Sequence, residues 1–313
     1  VFYMNDRYFK VRVPATSANM GPGFDSLGIA FKLFNEYIFA EIESGVKFIG
    51  FQSEFANKNN IIFKAMEKVF KDYNYDYSGL RIEIINCNIP VSRGLGSSSS
   101  CIIAGIIGAF SIMGKDSNKS EVLKYAVEIE GHPDNVCPAI YGGMVTVVME
   151  DNAPIFNKID IKEGVRFVAL IPEFKFSTEK ARSILPKEIS LKDGVYNVGR
   201  TALLVSAFAN GNYNLLKYAM KDKFHQAYRS RLIEGYDMLI KESMELGALG
   251  CFLSGAGPTI MTVVVSEDKA FKSNIKKFIE ENNLKYTVVE LKIDKIGATV
   301  LEVNKNEGRL FSN

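Results

Sequence analysis

Over residues 90–100 the chain reads PVSRGLGSSSS, two glycines (Gly94 and Gly96) followed by four serines, and it runs straight into an apolar stretch over 101–113. The pattern predicts a turn opening into a helix, with Ser97, Ser98, Ser99 and Ser100 in the first turn. That turn of a helix has backbone N–H groups without intrahelical partners, at the positive end of the peptide dipoles. Glycine and serine there suit an anion, and phosphate is the obvious guest. A side chain at Gly94 or Gly96 would hold the ligand off the backbone, and the hydroxyls add short donors that can also face a metal ion. No Gly-Lys-Ser/Thr follows, so this is not a Walker loop, and the third glycine of the dinucleotide fingerprint is missing. The charge on a phosphate must then be met by dipole, backbone donors and a bound cation.

Six other stretches carry polar side chains that bear on chemistry. Residues 14–31, PATSANMGPGFDSLGIAF, are dense in turn formers and read by composition as a long loop. A strand over 8–13, ended by Pro14, precedes it, and a second strand over 36–42 follows. Residues 120–130 have helical spacing with Ser120 at the cap, and Glu128 and Glu130, two apart, cannot face the same way. Gly131-His132-Pro133-Asp134-Asn135 follows at once and can cap a short helix over 136–141. Further on, STEKARSIL over 177–185 holds Thr178 and Arg182, HQAYRSR over 225–231 holds Arg229 and Arg231, and FLSGAGPT over 252–259 bends at Gly255 and Gly257.

Pro90-x-x-x-Gly94-Leu95-Gly96-Ser97-Ser98 resembles the phosphate-binding motif of the GHMP small-molecule kinases, the superfamily named for galactose, homoserine, mevalonate and phosphomevalonate. The stretch 252–259 resembles its third motif, and PATSANMGPGFDSLG is very close to the N-terminal signature of the homoserine kinases. The resemblance spans nearly the whole chain and implies an ATP-dependent kinase acting on the side-chain hydroxyl of homoserine. It places ATP on Pro90, Val91, Ser92, Arg93, Gly94, Leu95, Gly96 and the serines Ser97, Ser98, Ser99 and Ser100, with Asn59 and Asn60 near the adenosine. Mg²⁺ typically takes one or two protein ligands in such sites, and similarity assigns Ser98 and Glu128, with Glu130 as the alternative. The amino-acid substrate falls to Asn19, Asp25, Thr178, Arg182, Gly255 and Arg229, the last preferred over Arg231; a planar guanidinium suits a carboxylate. His132 and Asn135 are expected to orient the hydroxyl, and Asp134 is an open candidate for a base. Two other readings stay open: a sister kinase for another alcohol, and a sensor binding nucleotide and metabolite without turnover.

The elements that must position these groups are mixed. Strands are expected over 46–51, 79–85, 142–149, 165–171, 286–291 and 296–304, and helices over 60–70, 196–210, 213–220 and 268–281. The order shows no regular βαβ alternation, which argues for an α+β fold. The resemblance implies an N-terminal domain like the second fold of ribosomal protein S5 (1–155) and a C-terminal ferredoxin-like domain (156–313), with the site between them. At 313 residues, 47% hydrophobic and 24% charged with a formal charge of +2, the composition is ordinary globular. Neither nucleic acid nor a membrane is an expected partner. No apolar run reaches a spanning length and the first ten residues hold no signal-peptide core, so a cytoplasmic location is expected, and a homodimer through the resemblance. Four scattered cysteines and two histidines make no recognisable metal spacing.

Overall fold

The structure, a computed structural model, describes residues 7–303. Two long antiparallel strands, β1 (Tyr8–Ala18) and β2 (Leu27–Glu41), form its spine. Strand β1 runs through Pro14 because the pairing shifts register between Pro14 and Ala15. A residue without an N–H is tolerated at such an irregularity. The expected loop over 14–31 therefore contracts to 19–26.

Strand β3 (Gly45–Ile49) lies parallel to β4 (Gly79–Cys87), which pairs with β2. Helix α1 (Ile61–Asp72) joins them, its apolar residues Ile62, Met66 and Val69 turned inward. Helix α2 (Ser97–Ile112) is buried along nearly its whole length, as an all-round apolar helix must be. Two further helices follow, α3 (Lys119–Glu130) and α4 (Pro133–Tyr141); Asn118 caps α3 through the Ser120 N–H, where Ser120 itself is the sequence expectation. Strands β5 (Met144–Glu150) and β6 (Ala153–Ile159) then close on β2. No sequence pattern marks β6, whose residues are mostly exposed.

The second sheet begins with β7 (Val165–Pro172). A run of helices follows: α5 (Thr178–Ser183), α6 (Leu191–Asn210), α7 (Leu216–Ala219), α8 (Gln226–Arg229) and α9 (Tyr236–Glu245). Strands β8 (Gly250–Leu253) and β9 (Ile260–Val265), helix α10 (Phe271–Glu281) and strand β10 (Tyr286–Leu291) complete it in the antiparallel order β10-β7-β9-β8. This is the ferredoxin-like topology the resemblance implies. Along β7 the side chains alternate: Val168 and Leu170 pack on α9 and α10, while Phe167, Ala169 and Ile171 join Leu27, Ile29 and Phe31 of the first sheet in a shared core.

The domain boundary expected at 155 falls inside β6. The crossing to the second sheet comes between Ile159 and Val165, and the last strand, β11 (Thr299–Val303), returns to pair with β1. Among the described residues no helix is long and apolar enough to cross a membrane.

Phe110 on α2 is fully buried, edge-on to Tyr73 and Tyr125. Phe110→Ala removes that volume from a core with little room to relax. We expect a loss of about 3–5 kcal/mol, read as a lower urea midpoint with an unchanged slope; a loss under about 1 kcal/mol would show the site collapses freely.

Candidate active site

Three chain segments meet at backbone distance. Thr16 donates its N–H to Leu95 O (3.1 Å), Thr259 to Arg93 O (3.3 Å) and Gly255 to Ala18 O (3.1 Å). Ser17 Oγ lies 2.6 Å from Ser254 Oγ, whose own hydroxyl donates to the Gly94 carbonyl. Both glycines of the loop have positive φ, and a Cβ at Gly94 would come within 2.3 Å of Ser254 O, one at Gly96 within 2.1 Å of Thr16 Oγ1. The chain itself therefore demands glycine here, whatever a ligand asks for.

These segments frame a cavity of about 710 Å³. One part of its wall is apolar (Tyr37, Phe51, Phe55, Ile61, Ile84, Val91), one part is the first turn of α2 with Glu130, and one carries Asn19, Asp25, His132, Asp134, Asn135, Arg182, Arg229 and Gly255. Cys87 and Cys101 also line it. Of the expected phosphate loop, Val91, Ser92, Arg93, Gly94, Gly96, Ser97, Ser98 and Ser99 reach the cavity, and Pro90, Leu95 and Ser100 do not. Leu95 is in the core, and the Ser100 hydroxyl turns inward, donating to Ser97 O and accepting from Asn35. Arg93 directs its guanidinium away from any ligand, to the carbonyls of Val91, Pro172 and Glu173. Asn59 and Asn60 both line the cavity, and Asn60 also caps α1, accepting from the Ile62 N–H and donating to Phe55 O.

The two glutamates separate cleanly. Glu128 pairs with Lys68 of α1 at 2.8 Å and does not line the cavity. Glu130 accepts from Ser98 Oγ (3.2 Å) and Ser99 Oγ (2.8 Å). Two residues advance about 200° around a helix, so only one can face α2, and it is Glu130, the stated alternative, rather than Glu128. Next in the chain, His132 Nδ1 lies 2.7 Å from Asp134 Oδ1. Burial alone lowers the His132 pKa, but the Asp134 carboxylate, helped by Glu130, outweighs it and raises the value above 6.5. Asn135 accepts through Oδ1 from Thr16 Oγ1 (2.9 Å), which orients its amide.

The cationic side of the wall is built from the second sheet's helices. Arg182 on α5 makes a forked pair with Asp25 (2.8 and 3.2 Å). Asn19 supports the same loop, accepting from the Asp25 N–H and donating to Gly255 O. Arg229 on α8 is almost wholly buried; its Nε donates to Ala181 O (3.1 Å) and its Nη1 to Gly255 O (3.2 Å). Burial, then the nearby Arg182, pull its pKa down to about 10, so it stays charged at neutral pH. Arg231 is exposed and faces the Tyr228 ring. Thr178 opens α5, and its side chain lies outside the described ones. Sequence reasoning misses Thr16, Ser17, Ser254, Phe24 and His225; Thr16, Ser17 and Phe24, the last against both arginines, sit in plain view in the N-terminal signature, whereas buried His225 leaves no periodic trace.

The family of GHMP kinases N terminal domains covers residues 60–143, and that of GHMP kinases C terminal domains covers 204–281. The chain is 54% identical over 295 residues to the homoserine kinase of Clostridium beijerinckii, covering 94% of this chain and 99% of that one. A homoserine kinase of Clostridium botulinum is 52% identical over 293 residues, covering 94% and 98%. Among solved structures, the homoserine kinase of Cytophaga hutchinsonii superposes with a TM-score of 0.85 at 28% identity, over 96% of this chain and 99% of that one. Mevalonate kinase of L. major, at 17% identity and a TM-score of 0.70 over 92% and 96%, shares the fold.

The His132–Asp134 bond makes stability depend on pH. A raised folded-state pKa contributes stability that is complete below the unfolded value near 6.5 and is lost as pH rises through the folded value. The stability gap between the native protein and His132→Gln, from urea titrations at about pH 5.5 to about pH 8.5, should therefore narrow with rising pH; a constant gap would refute the pairing.

Proposed function

The chain belongs to the homoserine kinases of the GHMP family, and on that footing we propose that this cavity moves the γ-phosphoryl group of ATP onto the side-chain hydroxyl of L-homoserine, giving O-phospho-L-homoserine for threonine synthesis. The observation that carries the reading is the identity across nearly the full chain together with the meeting of all three motif segments at one cavity. In this reading the adenine lies on the apolar wall around Phe51, Ile61 and Ile84, and the triphosphate meets the first turn of α2.

The donors present fit magnesium. Ser98 and Glu130 offer hard oxygen atoms beside the phosphate loop. Among the described residues no cluster of three or more metal-ligating side chains occurs, which suits an ion that keeps waters and phosphate oxygens as its other ligands. Magnesium, when bound, neutralises the charge that builds on the phosphate oxygens.

Homoserine brings an ammonium, a carboxylate and a hydroxyl, each needing a partner in a partly dry pocket. Asp25 takes the ammonium in exchange for its pairing with Arg182, and Arg182 and Arg229 take the carboxylate. Asn135, oriented by Thr16, and His132, oriented by Asp134, hold the hydroxyl in line. A loose phosphoryl-transfer transition state asks mainly for alignment and charge neutralisation, which these fixed groups supply.

Incubation with ATP, Mg²⁺ and a panel of alcohols tests the reading. ADP release on homoserine supports it; release only on mevalonate or a sugar points to a sister kinase, and tight binding without release to a sensor. Within that assay Glu130→Gln should lower kcat on the order of 100-fold, while Glu128→Gln should stay within about twofold. The opposite ranking would return the metal to Glu128.

A further inference from the structure

We infer that His225 is a positioning residue whose neutral imidazole, bonded to Gly21 on one side and to Arg229 on the other, fixes the guanidinium that meets the substrate carboxylate. The inference rests on the functional reading of Arg229 given above.

The tautomer follows from the neighbours. His225 is fully buried, and its Nε2 lies 2.8 Å from Gly21 O and 3.7 Å from Asp222 Oδ2. Both neighbours can only accept, so Nε2 carries the proton. In the neutral ring Nδ1 is then bare, and it accepts from Arg229 Nη1 at 3.2 Å. With Nε on Ala181 O and Nη1 shared between His225 and Gly255 O, Nη2 is the guanidinium nitrogen with no hydrogen-bond partner among the described residues, on a side chain that lines the cavity.

A protonated ring would oppose this arrangement twice. It would set an N–H donor against the N–H donors of Arg229, and add a third positive charge beside Arg229 and Arg182. The groups facing the ring pull in different directions: burial and Arg229 favour the neutral form, Asp222 and Asp25 the charged one. Burial prevails and the pKa is lowered. Asp222 is itself committed to the backbone, accepting from the N–H groups of Phe224, His225 and Gln226 and from Asn197 Nδ2. Phe24 closes the cluster, its ring 5.4 Å from His225 and 5.5 Å from the Arg229 guanidinium. The ring thus links the substrate loop, at Gly21, to the arginine.

Two variants separate positioning from bulk packing. Asparagine puts its amide near the ring's Nδ1 and can keep an acceptor for Arg229; glutamine reaches the Nε2 position, keeping the donor to Gly21 and losing that acceptor. His225→Gln should raise KM for homoserine about tenfold, about 1.4 kcal/mol, with kcat and KM for ATP within about twofold. His225→Asn should raise the same KM by no more than about threefold. Equal losses in both variants, or parallel losses in KM for ATP, would overturn the inference.

A second measurement needs no variant at this position. The chain has two histidines, so ¹⁵N-histidine NMR, with His132→Gln to assign the signals, should show the His225 ring as the Nε2–H tautomer between about pH 6 and about pH 8. A proton on Nδ1, or a charged ring at neutral pH, would overturn it. Loss of turnover on homoserine in the unaltered protein would instead overturn the functional reading, which the NMR result does not depend on.

Discussion

The site rests on the absence of two Cβ atoms. At Gly94 and Gly96 the phosphate loop touches the backbone of the 252–259 loop and the Thr16 side chain of β1, closer than any side chain at those glycines would permit. The hydrogen bonds Thr16 to Leu95, Thr259 to Arg93 and Ser254 to Gly94 follow from that contact. Arg93 extends the junction to the end of β7 through Pro172 O. Both sheets are thus joined at the cavity itself, which makes the geometry of the first turn of α2 a property of the whole fold.

The rest of the architecture serves to hold that turn still. Helix α2 begins at the cavity and passes through the core, so Ser97, Ser98 and Ser99 line the cavity while Ile102, Ile106 and Phe110 are surrounded. The cleft charges are largely answered from within: Asp25 by Arg182, Asp134 by His132, Glu130 by two serine hydroxyls. Arg229 is the exception. It is buried, and its hydrogen-bond partners are two carbonyls and an imidazole, with no carboxylate among them. A buried cation whose hydrogen bonds go only to neutral groups, with Asp25, Asp222 and Asp134 acting from a distance, is costly to hold, and in the proposed reading a substrate carboxylate meets that need.

Local chemistry made the phosphate loop legible, since glycine, serine and an apolar run specify a turn and a helix start without distant contacts. The apolar run of β7 and the stripe of α1 were legible for the same reason. What escaped depends on partners far along the chain. The strand through Pro14 is set by a register shift against Phe34 and Phe31, and β6 by its pairing with β5. Periodicity shows that Glu128 and Glu130 diverge, but Lys68, sixty residues earlier, decides which one faces away. The serines behave likewise: Ser98 and Ser99 face Glu130, whereas Ser100 is claimed by Asn35 on β2. His225 acquires its role only when the fold brings Gly21 and Arg229 to either side of its ring.

The α3–α4 corner carries this logic furthest. Gly131, with φ of +86°, ends α3, and His132, extended, starts α4, so Glu130, His132, Asp134 and Asn135 all reach one cavity. Glu130 is the last residue of α3, whose final turn holds no basic side chain. A carboxylate there faces the negative end of its own helix, while the positive end of α2 lies opposite with Ser98 and Ser99. A cation held by Ser98 and Glu130 would answer the carboxylate and an anion at the first turn of α2 together, in keeping with the proposed reading in which the phosphate chain and its metal enter together.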